Sequence, residues 1–341
     1  MKKVTLCGTV LVDEVKKIDS YPEKGMLVTI TSRTRAVGGA VCNSGIDLKT
    51  LDPDLVVEAI GRVSDDEAGK FVLETLASHG LTTDKMVISK TAPTAFTDVM
   101  TLQSTGERTF FTMRGAGSEF SPADVDVDAL DCDIFHLGYL LLMEAMDAED
   151  AEYGTVAARL LHDVQARGIK TSIDVVSEQS DRFERVVRPA LKYCNYVVIN
   201  EIEGGRVAGV SPHNENGRLS ISRMKKICEG LMALGVRDAV TVHCPKLSCS
   251  LDAAGNFSVL PSVALPRASI VGTVGAGDAY CAGMLYGFAH GMTAEESMHV
   301  ASSAAVCNLL VADSVSGARS YAETMKMEET LGLEVLENVD D

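Results

Sequence analysis

The chain contains the stretch Ser269-Ile270-Val271-Gly272-Thr273-Val274-Gly275-Ala276-Gly277-Asp278-Ala279-Tyr280-Cys281-Ala282-Gly283. A β-branched run leads into three glycines, and small, helix-compatible residues follow, which predicts a strand, a tight turn and a helix. The first amides of such a helix have no partner within it, and glycine lets a ligand approach the backbone closely. The turn is therefore expected to bind an anion such as a phosphate.

The residues around Asp278 restrict the phosphate chemistry. The spacing Gly272-x4-Gly277 matches a P-loop, but Asp278 and Ala279 stand where that motif needs Lys and Ser or Thr. A dinucleotide-binding fingerprint is excluded because no glycine stands three places after Gly277. A carboxylate can take a proton from a hydroxyl that attacks a phosphate. Asp278 is thus a candidate general base, and a carboxylate that only caps the helix is the alternative.

Length, composition and charge restrict the class of protein. The 341 residues, 46% of them hydrophobic, suit one large α/β domain with an accessory piece. The net charge of −17 argues against nucleic acid and anionic membranes as partners. No apolar run could span a bilayer or serve as a signal sequence, so we expect a cytoplasmic protein. The nine cysteines form no CxxC pair, which indicates reduced, core-filling thiols.

Hydrophobic periodicity predicts strands that alternate with helices. Strands are predicted at residues 4–8, 56–61, 133–137, 170–174 and 196–200, and helices at 149–167 and 181–191. This alternation predicts an α/β fold with a doubly wound, mostly parallel sheet flanked by helices. Period-2 segments at residues 27–37, 95–102 and 108–112 predict a small antiparallel β lid over the site.

The glycine turn resembles a signature of one kinase family. Gly275-Ala276-Gly277-Asp278 is similar to the end of Asp-Thr-x-Gly-Ala-Gly-Asp, the C-terminal signature of the ribokinase-like (PfkB) carbohydrate kinases. The resemblance implies that Gly275, Ala276 and Gly277 form the anion hole for the γ-phosphate of ATP. It also implies that Asp278 is the base that activates the acceptor hydroxyl.

Gly272 and Thr273, which precede Gly275, are relevant to the cofactors. The resemblance places Thr273 among the residues that contact ATP. Gly272 stands where the family has its leading Asp, which in relatives lies near a monovalent-cation site. ATP and Mg²⁺ are therefore the expected cofactors, whereas activation by potassium stays open.

Further motifs concern the acceptor. Gly38 and Gly39 open a predicted helix and, with Asn43, match the family's Gly-Gly-x-x-x-Asn signature, which implies sugar binding. Asp13 follows the first strand, where parallel sheets bind ligands, and the resemblance makes it a substrate-binding carboxylate rather than a surface-loop residue. Arg114 lies where some relatives bind a substrate carboxylate, and a local salt bridge is the alternative.

A last pair concerns the metal. Asn200 and Glu203 follow a predicted strand and share one face of a helix start, where oxygen ligands suit Mg²⁺ held through water. They match the family's Asn-x-x-Glu motif, which implies a role in placing Mg²⁺ and phosphate. From the residues alone, a helix-capping pair is the alternative.

The resemblance covers nearly the whole chain and implies a division into core, lid and tail. Residues 1–15, 38–92 and 113–325 are expected to form the nucleotide- and substrate-binding core. Residues 16–37 and 93–112 are expected to form the β lid, and residues 326–341 an acidic tail. Because the family often dimerises through this lid, we expect a homodimer.

The expected activity is transfer of the γ-phosphoryl group of ATP to a hydroxyl of a small carbohydrate of the fructose, ribose or keto-deoxy-sugar type. Leu11 and Ala40 stand where ribokinases usually have Asn and Lys. The stretch Gly106-Glu107-Arg108-Thr109-Phe110-Phe111 resembles hexose and fructose kinases. A nucleoside kinase of the same fold is one alternative. A non-catalytic regulator that binds a sugar or nucleotide is the other.

Overall fold

The structure, a computed structural model, describes residues 1–337 and 339–340. The strands are β1 (Lys3–Gly8), β2 (Leu11–Ile18), β3 (Ile30–Gly38), β4 (Val56–Ser64), β5 (Val87–Ser89), β6 (Phe96–Leu102), β7 (Arg108–Met113), β8 (Ile134–Leu140), β9 (Glu149–Asp150), β10 (Gly154–Thr155), β11 (Lys170–Val175), β12 (Tyr196–Asn200), β13 (Leu219–Ser220), β14 (Ala239–His243), β15 (Leu247–Asp252), β16 (Phe257–Pro261) and β17 (Val339–Asp340). The helices are α1 (Ala40–Leu51), α2 (Glu67–Ser78), α3 (Val156–Ala166), α4 (Phe183–Leu191), α5 (Glu201–Ala208), α6 (Ile221–Ala233), α7 (Ala276–Ala289), α8 (Ala294–Leu309) and α9 (Tyr321–Leu331). Short 3₁₀ helices lie at Gly115–Glu119, Pro122–Asp124, Val127–Ala129 and Arg267–Ser269. Within the described residues, none of the helices combines the length and apolar character that a membrane span requires.

The central sheet is mostly parallel and is packed on both faces. Among the described residues it has nine strands in the order β16-β15-β14-β12-β11-β8-β1-β4-β5. Pairing is parallel from β14 to β5 and antiparallel between β14, β15 and β16. Along β12, Val197 and Ile199 pack in the core with α3, α4 and α6, whereas Tyr196 and Val198 pack in the core with α1, α7 and α8. The predicted doubly wound α/β fold is confirmed.

One predicted helix begins later than the sequence suggested. The helix expected at residues 149–167 starts at Val156, because β9 and β10 pair as a short antiparallel hairpin. Thr155 then caps the helix by accepting a hydrogen bond from the amide of Ala158. Backbone pairing and a cap, neither of which follows from hydrophobic periodicity, set this boundary.

The lid is a separate sheet in the order β3-β2-β6-β7. Its outer pairs are antiparallel, and its central pair β2 and β6 is parallel. The strand Leu11–Ile18 belongs to this sheet, so the lid begins before residue 16, where the sequence analysis divided it from the core. Asp13 pairs with Ala36 and is carried by the lid sheet.

The C-terminal residues pack on the core. α9 crosses the tail boundary expected at residue 326, and a capping box between Ser320 and Glu323 begins it. Further on, Leu333 bridges Val263, and β17 pairs with β13. Residues 338 and 341 of the predicted acidic tail lie outside the described residues.

Candidate active site

The glycine turn lies at the start of α7, but a strand does not lead into it. The amides of Val271 and Gly272 donate to the carbonyl of Leu309 at the end of α8, at 2.9 and 3.4 Å, so this segment bonds to a helix instead of a sheet. Gly275 takes φ 82°, and a Cβ there would lie 2.6 Å from the Ser314 carbonyl oxygen. The turn therefore needs glycine at position 275 for both conformation and space.

Gly272 also lies in close contact with a neighbouring loop. A Cβ at this position would lie 2.6 Å from the Val311 carbonyl oxygen and 3.1 Å from Ala312 Cα. The aspartate that relatives carry here has no room unless this loop moves. Glycine at position 272 therefore fits the packing of this loop.

The N-terminus of α7 is open to a ligand. Gly275 is its N-cap, and no side chain among the described residues caps it. Ala276 is partly buried, whereas Thr273 and Gly277 are exposed. The unpaired amides and the helix dipole place partial positive charge here, so this end of α7 can bind an anion.

Among the described residues Asp278 does not cap α7, so the helix-cap alternative does not apply to this residue. The Tyr139 hydroxyl donates to its Oδ1 at 2.5 Å, and the Asn43 Nδ2 donates to its Oδ2 at 3.0 Å. Burial raises the pKa of Asp278, and both hydrogen bonds oppose that rise. The carboxylate is held at the mouth of the anion site in a geometry that suits a base.

The predicted acceptor residues gather around this carboxylate. A Cβ on Gly38 would lie 2.6 Å from Asp13 Oδ2, and one on Gly39 would lie 2.5 Å from the Thr9 carbonyl oxygen. Burial and the charge of Asp278 raise the pKa of Asp13 to about 7. Asp13, the paired glycines and Asn43 therefore share one site with Asp278, although Asn43 faces the base.

The lid contributes Arg108 to this site from the first residue of β7, and the substrate-binding role of Arg114 stays a prediction. Arg114 donates to Glu144 Oε1 at 2.9 Å in a partly exposed ion pair, which matches the salt-bridge alternative. Arg108 instead donates from Nη2 to the Ala312 carbonyl at 3.2 Å, and its charge opposes the larger rise in the pKa of Asp13 that burial and Asp278 cause. Arg108 links the lid to the loop beside the glycine turn. The sequence analysis quoted Arg108 in an acceptor motif but could not predict this link, because the contact spans 204 residues.

Asn200 and Glu203 form a capping box at the start of α5. Asn200 Oδ1 accepts from the amides of Ile202 and Glu203, and Glu203 Oε2 accepts from the Asn200 amide. Ser177 donates to Glu203 Oε1 at 2.6 Å. Burial raises the pKa of Glu203, and burial together with the charge of Glu203 raises the pKa of Asp174. This excess of buried carboxylates suits a divalent cation, but the capping bonds favour one held through water over direct ligation.

A cavity of about 490 Å³ joins the glycine turn to α5. Its volume is typical of small-ligand sites. Burial lowers the pKa of His243 to about 4, so its ring is neutral at pH 7 and stacks on Tyr280 with the centroids 4.5 Å apart. Its lining includes Asn200, Glu201, Ile202, His243, Cys244, Pro245, Leu247, Ser248, Ser262, Val263, Leu265, Ile270, Thr273, Ala276, Gly277, Tyr280, Ser302, Ala305, Val306, Leu309 and Glu334. The cavity suits a nucleotide whose phosphates point at the turn.

Comparisons with known proteins agree on the fold. The sequence model described as pfkB family carbohydrate kinase matches residues 1–319. Ribokinase of Arabidopsis thaliana is 24% identical over 305 residues, which is 89% of this chain and 74% of that protein. The structure of that plant's ribokinase complexed with ribose and ATP has a TM-score of 0.80 and 20% identity, covering 98% of this chain and 99% of the other. Fructokinase with bound ATP from Xylella fastidiosa gives a TM-score of 0.74 and 19% identity, covering 96% and 99%.

Proposed function

This chain belongs to the pfkB family of carbohydrate kinases, and from that premise we propose that it transfers the γ-phosphoryl group of ATP to a hydroxyl of a small sugar, with Asp278 as the base. The observation that carries the proposal is the position of Asp278. Its carboxylate lies in the first turn of α7, beside Asp13 and next to the nucleotide-sized cavity. An acceptor bound by Asp13 would lie next to a γ-phosphate bound at the N-terminus of α7.

The mechanism relies on positioning and charge. The amides of Gly275, Ala276 and Gly277 hold the γ-phosphoryl group and the negative charge that develops on it. The acceptor hydroxyl gives its proton to Asp278 as its oxygen attacks phosphorus. When bound, Mg²⁺ supplies charge that offsets the phosphates, and Asn200 and Glu203 would hold it through water.

The proposed ATP site is the cavity bounded by β14, β15, α7 and α8. Thr273, Ala276 and Gly277 line its end nearest the base, and Asn200 lines it at the start of α5. Both solved relatives named above carry ATP, which supports the same cofactor here. The adenosine would then lie towards Tyr280 and His243, whose stacked rings form one wall.

The lid supports a proposed homodimer. Phe110 and Phe111 on β7 are each 56% exposed, and Ile30 on β3 is 46% exposed. Adjacent strand residues point to opposite faces, so at least one of the two phenylalanines faces away from the core. Exposed apolar side chains on an edge strand are typical of a surface that another chain covers. A second copy of the lid presents the same apolar side chains and can therefore cover this surface.

The test is ADP release from Mg-ATP in the presence of pentoses, hexoses, keto-deoxy acids and nucleosides. Activity with one class of sugar is expected, and the same assay with and without potassium decides whether that cation activates the enzyme. Activity confined to nucleosides would replace the sugar by a nucleoside as acceptor. ATP binding without ADP release from any acceptor would favour a non-catalytic regulator.

A further inference from the structure

Tyr139 is held at the base by contacts that no sequence motif announces. It lies in β8, at the end of the sheet where Asp278 lies, and its hydroxyl donates to Asp278 Oδ1 at 2.5 Å. Its amide donates to Thr9 Oγ1 at 2.5 Å, and the Thr9 hydroxyl donates to the Gly138 carbonyl at 2.8 Å. The backbone of Tyr139 is thus bonded to the connection between β1 and β2. These bonds fix the position from which the phenol reaches Asp278.

Asn43 contacts the opposite oxygen of the same carboxylate. Its Nδ2 donates to Asp278 Oδ2 at 3.0 Å, while its Oδ1 accepts a hydrogen bond from Ser314 Oγ at 3.0 Å. Ser314 is itself fixed by Asn308, whose Nδ2 donates to the Ser314 carbonyl at 2.8 Å. The contact with Ser314 sets which end of the Asn43 amide faces Asp278. Each carboxylate oxygen therefore has one donor and keeps a further lone pair for the acceptor.

The remaining titratable groups around Asp278 do not favour its ionised form. Burial raises the pKa of Asp278. The hydrogen bonds from Tyr139 and Asn43 lower this pKa, and the Tyr139 bond has the larger effect of the two. The phenol keeps its proton, because burial and the charge of Asp278 raise the pKa of Tyr139. Other groups whose pKa responds to the charge of Asp278 are Asp13 on β2, Cys42 and Asp47 on α1, Asp174 on β11 and Cys281 on α7. All of these groups are acids or thiols, and none is a cation. Hydrogen bonds must therefore supply the stabilisation of the Asp278 carboxylate that a nearby cation would otherwise give.

We propose that Tyr139 is the positioning residue of the base: with Asn43 opposite, its hydroxyl fixes the Asp278 carboxylate and keeps it ionised and ready to accept a proton. The inference rests on the proposed role of Asp278. In the step itself the acceptor O–H bond breaks and its proton passes to the Asp278 carboxylate. The acceptor oxygen bonds to the γ-phosphorus, and ADP leaves with the electrons of the broken P–O bond. Tyr139 keeps its own proton throughout.

The kinetic test compares two hydroxyl deletions. Tyr139→Phe keeps the ring and removes the donor to Asp278. Tyr196→Phe is the control. Tyr196 is the first residue of β12 and lies at the opposite end of the sheet, where its hydroxyl accepts a hydrogen bond from Lys170. In Tyr139→Phe the acid limb of the kcat/KM profile should move to higher pH by about one unit, a roughly tenfold loss at pH values on that limb. The control should follow the wild-type profile. A Tyr139→Phe profile that coincides with that of the wild type overturns the inference.

A second test needs no acceptor. Infrared difference titration follows the protonation of the Asp278 carboxyl, identified as the signal that Asp278→Asn removes. Its midpoint should lie at higher pH in Tyr139→Phe than in the wild type and in Tyr196→Phe, and an equal midpoint refutes the role of Tyr139. Full activity of Asp278→Asn would instead remove the proposed function, while the infrared titration would still decide whether Tyr139 keeps this carboxyl ionised.

Discussion

At the scale of single residues, the pKa of Asp13 predicts how stability depends on pH. The folded protein holds this proton up to about pH 7, because burial and the charge of Asp278 disfavour the carboxylate, whereas an unfolded chain releases it near pH 4. Since the folded state binds more protons in this window, the free energy of unfolding should fall as the pH rises through it. Asp13→Asn should reduce that fall and, by removing an acceptor of sugar hydroxyls, raise KM for the sugar. Urea unfolding at pH 5 and pH 8 measures the first effect. A fall as steep as that of the wild type would contradict it.

At the scale of one element, the N-terminus of α7 separates glycines needed for folding from those needed for binding. Gly275 has φ 82° and abuts Ser314, which orients Asn43, whereas a Cβ on Gly277 would find His243 no closer than 3.9 Å. Gly275→Ala should therefore lower the free energy of unfolding by about 1–3 kcal/mol and reduce kcat. Gly277→Ala is the matched control, with unchanged stability but weaker ATP binding, because its Cβ lies where the phosphate approaches. Denaturant unfolding and calorimetric ATP titration separate the two. Equal losses of stability in both variants would refute this division.

At the scale of the whole molecule, the lid is expected to join two copies of the chain. Sedimentation velocity should find a homodimer in the wild type and a monomer in the double variant Phe110→Ser with Phe111→Ser. Ile88→Ser is the control, because Ile88 is 41% exposed but lies on β5, at the edge of the central sheet. A monomeric wild type would contradict dimerisation through the lid.

How much could be predicted from the sequence depends on whether local or long-range contacts determine the feature. Local periodicity was sufficient for β12, whose observed bounds equal the predicted ones, because this strand is buried and apolar. It failed before the glycine turn, where β-branched residues bond to the end of α8 instead of a strand. Tyr139 could not be predicted, because its contact with Asp278 spans 139 residues and depends on the order of strands in the sheet.

The most direct test of the account is the kcat of Asp278→Asn, measured as ADP release with the preferred acceptor. Asparagine keeps the shape of the side chain but cannot take the proton, so kcat should fall by about 10²–10⁴-fold while ATP affinity and the free energy of unfolding stay near the wild-type values. A variant that folds, binds ATP and still releases ADP at the wild-type rate would contradict the assignment of Asp278 as the base.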